Sequence, residues 1–105
     1  MTEKSEGRIQ KEIVDYFSTA GFIVLRLNSG SLRVGSRTVH LCPPGTPDLL
    51  LIGNRVRLFI EVKKPGKKVS RVQREMIKKL KDFGNVVFIA DSLESIFEQM
   101  KSIKA

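Results

Sequence analysis

Two apolar runs bounded by charged residues constrain this chain more than any other feature. Asp48-Leu49-Leu50-Leu51-Ile52 and Leu58-Phe59-Ile60-Glu61-Val62-Lys63 lie on either side of Gly53-Asn54, a turn-forming dipeptide. Runs this short, rich in Leu, Ile and Phe and bounded by turn residues, read as strands. They predict a central hairpin of residues 48–52 and 55–63. Side chains alternate along a strand, so Phe59, Glu61 and Lys63 share one face while Ile60 and Val62 share the other. The apolar neighbours mark strands buried on both faces, where charges are rare without a partner or a metal.

Asp48 opens the first strand, and the pairing carries its carboxylate towards Glu61. Two converging carboxylates offer the hard oxygen ligands that Mg²⁺ prefers, and such an ion activates water and polarises phosphate. Lys63, beside Glu61, would position the attacking water or balance developing negative charge. A plainer reading stands next to this one. Asp48 follows Pro47 and could simply shape a turn, and Glu61 with Lys63 could be an exposed same-face pair at a sheet edge.

The rest of the chain supplies a mixed α/β frame. Ile9, Ile13, Tyr16, Phe17 and Ala20 recur at helical spacing over residues 5–20, and Gly21 stops that helix. A strand follows at residues 22–27, then two short strands, 31–34 and 38–41, around Gly35-Ser36. Beyond the central hairpin, the basic turn 64–68 leads to a helix at 70–83 ended by Gly84, a strand at 86–90, and a last helix capped by Ser92 that runs to about residue 103. The order is α-β-β-β-β-β-α-β-α, a mixed sheet flanked by helices. At 105 residues a single domain is expected.

Two helical residues join the candidate site. At 100° per residue, Gln73 falls inside the apolar stripe formed by Val72, Met76, Ile77, Leu80 and Phe83, a polar side chain facing the core. Ser70-x-x-Gln73 also matches a capping box, and the two roles are compatible. In the first helix Glu6 points inward with Ile9, Ile13 and Phe17, while Glu12 lies at the margin, so Glu6 ranks above Glu12. Glu6 also suits the helix dipole.

The net charge of +8 favours a polyanionic partner. Nine of the nineteen residues from Lys63 to Lys81 are Lys or Arg and only Glu75 is acidic, which concentrates the charge on one stretch next to the candidate site. Lys64, Lys67, Lys68, Arg71 and Arg74 are the candidate phosphate contacts, which position DNA without reading its sequence. The single cysteine can neither close an internal disulfide nor make a metal site alone. No apolar run reaches membrane-spanning length and no signal peptide is evident, so no membrane partner is expected and the cytoplasm is the expected compartment.

Taken in order, Glu6-x-x-Ile9-Gln10, Arg26-x-Asn28-Ser29-Gly30, Gly45-Thr46-Pro47-Asp48, Ile60-Glu61-Val62-Lys63 and Gln73 resemble the VRR-NUC family, a branch of the PD-(D/E)XK nuclease superfamily, over nearly the whole chain. The resemblance implies a restriction-endonuclease-like core. It implies Asp48, Glu61 and the Val62 carbonyl as ligands of Mg²⁺ or Mn²⁺, Lys63 as the catalytic lysine, and Glu6 and Gln73 as supporting residues. Arg26, Asn28 and Ser29 would meet the DNA backbone near the site, although Asn-Ser-Gly is equally a good turn. The chain looks like the small free-standing members, many of them viral or bacterial, that form homodimers. A two-fold dimer would suit a Holliday junction, where two strands are cut in related positions. The expected function is therefore a metal-dependent, structure-specific endodeoxyribonuclease. The rivals are a restriction-like or single-strand-processing nuclease, and a module that binds nucleic acid without cutting it.

Overall fold

The computed structural model describes residues 4–27 and 31–103. Helix α1 (Glu6–Thr19) is followed by strands β1 (Ile23–Arg26), β2 (Ser31–Val34), β3 (Arg37–His40), β4 (Leu49–Gly53) and β5 (Val56–Val62). Helix α2 (Arg71–Asp82), strand β6 (Val86–Ala90) and helix α3 (Leu93–Met100) complete the order expected from the sequence. Four strands form one sheet in the order β1-β4-β5-β6, antiparallel except for the β5–β6 pair. That parallel pair needs a crossover, which α2 provides. Among the described residues, strands β2 and β3 pair only with each other, across a two-residue turn in which Gly35 has φ +63°. Among the described residues, no helix is long and apolar enough to cross a membrane.

Each helix begins at a serine. Ser5 Oγ accepts from Arg8 N, Ser70 forms a reciprocal box with Gln73, and Ser92 does so with Ser95. The core lies on one face of the sheet, where Leu49 and Leu51 of β4, Leu58, Ile60 and Val62 of β5, and Phe88 and Ala90 of β6 meet Ile9, Ile13 and Phe17 of α1 and Ile96 of α3. Phe17 anchors it, with its ring edge-on to Phe22 at 5.0 Å between centroids. Phe22 in turn covers Gly53, where an added Cβ would lie 2.6 Å from the ring.

The opposite face departs from the sequence expectation. Burial on both faces holds at Glu61 and Lys63, but Leu50, Ile52 and Phe59 are only half-buried, and Ile23 and Leu25 are exposed. The reason is that α2, the one helix on this side among the described residues, packs against β6, away from β1 and β4. The apolar stripe read along α2 is correspondingly narrower. Only Ile77 is buried; Val72 turns towards the loop before β4, and Phe83, past the last helical turn, is 82% exposed.

Candidate active site

The site forms where β5 ends, and three segments hold it there. Asp48 sits one residue before β4, with its carbonyl accepting from Leu27 N at 2.8 Å and its Oδ2 accepting from Val62 N at 2.8 Å. The carboxylate is thus fixed against the strand that carries Glu61. The loop leading to Asp48 is closed by Thr46, whose hydroxyl donates to the Pro43 carbonyl at 2.6 Å. Gly45 (φ +85°) presses that loop onto α2, since a Cβ there would lie 2.5 Å from the Val72 carbonyl oxygen. One contact therefore sets Asp48 and the first turn of α2 in register.

Gln73 uses that placement twice. Its Oε1 accepts from Ser70 N at 2.9 Å, completing the helix cap, while its Nε2 donates to Glu61 Oε2 at 3.1 Å. Both roles read from the sequence are realised by one side chain. Glu61 is 2% exposed, and its Oε2 lies 3.9 Å from Lys63 Nζ. Its second oxygen, Oε1, is buried and has no hydrogen-bond partner among the described residues. Lys63 is itself buried, and its backbone N–H donates to Ala90 O at 2.9 Å.

The electrostatics follow from this packing. Burial, and after it the neighbouring Asp48 charge, push the Glu61 carboxyl up to about 8, against the opposing pull of Lys63. Two carboxyl groups share one dry corner with a single ammonium, so the corner is short of positive charge. A hard dication fits that deficit. It would face Asp48 and the orphaned Glu61 Oε1, with the Val62 carbonyl at the strand end as the third oxygen in the expected set.

Glu6 stands at the rim. Its Oε2 accepts from Lys64 N at 3.2 Å and pairs with Lys67 Nζ at 3.6 Å, which ties α1 to the turn after Lys63. Among the described residues, no group of three or more Asp, Glu, His or Cys converges to hold a metal ion, so the acidic core of the site is the Asp48–Glu61 pair. Glu12 points elsewhere: hydrogen bonding to Lys4 holds its carboxyl below the usual range.

The expected phosphate contacts are less uniform than their spacing suggests. Lys64 and Lys68 are exposed on the turn beside the site, Lys67 is taken up by Glu6, and Arg71 pairs with Glu75 at 3.1 Å. Arg74 lines a groove between α2 and β6 with Lys78 and Lys81. Arg26 ends β1 opposite Leu49, one position from Asp48, and is exposed. Asn28 and Ser29 lie outside the described residues. What the sequence reading left unassigned is the role of Gly45, named there only within a family motif; its signal was a glycine in the otherwise rigid Pro43-Pro44-Gly45-Thr46-Pro47 segment.

The family model of the VRR-NUC domain matches residues 5–94, and the chain belongs to that family of nuclease-type domains. A solved VRR_NUC domain is 28% identical, with a TM-score of 0.69 over 94% of this chain and 97% of its own. A second, a VRR_NUC domain protein, shares the fold at 19% identity and a TM-score of 0.60, over 95% of this chain and 88% of its own. No curated protein matches the sequence.

Proposed function

We propose that the chain is a Mg²⁺- or Mn²⁺-dependent endonuclease that hydrolyses DNA phosphodiester bonds at Asp48, Glu61 and Lys63. The observation that carries this reading is the buried Glu61 Oε1, which has no hydrogen-bond donor among the described residues and lies next to the Asp48 carboxylate, an arrangement suited to a cation. Asp48, Glu61 and the Val62 carbonyl would hold the ion, which when bound supplies Lewis-acid polarisation of the phosphate and neutralises its charge.

The chain's own residues do the rest. Gln73 clamps Glu61 Oε2, so the carboxylate presents Oε1 to the site instead of rotating away. The Lys63 ammonium, kept nearly dry, holds the attacking water and offsets the charge that builds on the phosphoryl oxygens as the water oxygen bonds to phosphorus and the bridging P–O bond breaks. Glu6 braces the turn carrying Lys64 and Lys67, where the incoming strand's phosphates would be received.

The family resemblance extends the proposal to a homodimer acting on branched DNA, with the four-way junction as the preferred substrate. The uncovered apolar sheet face supports the dimer. Purified protein incubated with four-way junction, splayed-arm, flap, duplex and single-stranded DNA in Mg²⁺, Mn²⁺ or EDTA tests both levels. Paired symmetric nicks in the junction, absent in EDTA, are expected. Cutting of linear duplex or single strands alone would leave the nuclease and remove the junction preference. Binding without cutting in either metal would overturn the reading.

A further inference from the structure

Among the described residues, two apolar surfaces have no partner. The first is the bare side of the sheet: Ile23 (60% exposed) and Leu25 (42%) of β1 lie opposite Ile52 and Leu50, and Leu50 lies opposite Phe59, all facing away from the core. The second is one face of the β2–β3 hairpin. Leu32 (54%) pairs with Val39 (41%), and Val34 (56%) pairs with Arg37 on the same face, with Leu41 (48%) just beyond the strand. Among the described residues, none of these hairpin side chains joins the core, and the hairpin forms a sheet separate from the main one. A two-stranded hairpin standing alone in water is marginally stable at best, so its apolar face needs a cover.

We infer that the hairpin is a reciprocal dimer arm, whose Leu32–Val34–Val39 face packs on the bare β1–β4–β5 sheet face of a second copy. This rests on the homodimer reading above and names the surfaces that make it. Two distinct patches, each unpartnered within one chain, satisfy each other twice across a two-fold axis. Six aliphatic side chains at about half exposure, shared between the two patches, amount to roughly 500 Å² of apolar surface, over half of the ~800 Å² per partner that a stable interface buries. Between Arg57 at one margin and Glu61 and Lys63 at the other, the sheet patch is aliphatic and aromatic, as is the hairpin face up to Arg37, and such surfaces favour a protein cover; Arg33 and Thr38 occupy the hairpin's opposite side.

The arm also links the two sites. On one side of it β1 ends at Arg26, opposite Leu49, and on the other the chain after β3 leads through residues 41–47 to Asp48. On this packing each arm covers the sheet beside the Glu61 and Lys63 positions of the other copy, and the Arg33 side of the hairpin faces away from the interface.

Light scattering coupled to gel filtration, with circular dichroism as the folding check, tests this on the full chain. The wild type is expected at twice the monomer mass, and Leu32→Asp with Val39→Asp, or Ile23→Asp with Leu25→Asp, is expected at monomer mass with native helix content. A wild-type monomer would overturn the dimer reading and this inference together. A wild-type dimer that persists in folded aspartate variants would overturn the arm alone. Should those variants fail to fold, disulfide trapping in a Cys42→Ser background still decides. A mixture of Leu32→Cys and Leu25→Cys chains should give the mixed crosslink, whereas Leu32→Cys chains joined only to each other would refute arm-on-sheet packing.

Discussion

Replacing Glu61 by glutamine should make the metal-free protein more stable, by an amount that grows with pH. Glu61 is buried with one oxygen unpartnered, and its carboxyl is held at about 8 against an ordinary 4.5. Between those values the folded state keeps a proton that the unfolded chain has released. More protons bound in the native state means that stability falls as pH rises, by about 1.4 kcal/mol per unit, until the carboxyl ionises near pH 8. From pH 5 to pH 8 the wild type therefore loses roughly 3 to 4 kcal/mol through this one group. Glu61→Gln keeps the shape, still accepts from Gln73 Nε2, and offers its own amide to the Asp48 carboxylate. It removes the titration. Thermal unfolding in EDTA should show similar midpoints at pH 5 and a variant ahead by about 10 °C or more at pH 8, given about 4 °C or more per kcal/mol for a chain of this size. Saturating Mg²⁺ at pH 8 should raise the wild type and leave the variant unchanged. Midpoints that stay parallel across this pH range, or a variant less stable than wild type at pH 8, would refute the electrostatic account of the site.

Gly45→Ala should cost about 2 kcal/mol or more, because the backbone there has φ +85° and the new Cβ would meet the Val72 carbonyl oxygen; cleavage should fall with stability, read by denaturant unfolding and a nicking assay. Gln73→Ala should cost about 1 to 2 kcal/mol by losing the cap and the Glu61 hydrogen bond. Its cleavage rate should drop further than that of Ser70→Ala, which loses only the cap. Lys67→Ala should weaken DNA binding less than Lys64→Ala or Lys68→Ala, because Glu6 already engages Lys67; salt-dependent binding measured by fluorescence anisotropy checks the order.

The elements near the site were legible because their signals are local. Apolar runs broken by Gly53-Asn54 define β4 and β5, and the alternation that places Glu61 and Lys63 together is a property of any strand. Gln73 could be read twice over, as a cap and as an inward polar residue, and it is both. What the sequence hid depends on which helix covers which strand. Val72 and Phe83 match the helical stripe of α2 as well as Ile77 does, yet only Ile77 meets the sheet. Leu25 and Leu50 look like core residues and lie on the bare face, because nothing in their own segments reveals that α2 sits over β6. The pairing of Lys67 was likewise invisible, since its partner, Glu6, lies far away in sequence, unlike the i,i+4 pair of Arg71 with Glu75.

The most direct test of the account is cleavage by Asp48→Ala and Glu61→Ala on a labelled junction in Mg²⁺, with DNA binding measured in parallel. Both variants should bind the DNA and fail to cut it. Normal cutting by both would place the chemistry somewhere other than at this carboxylate pair.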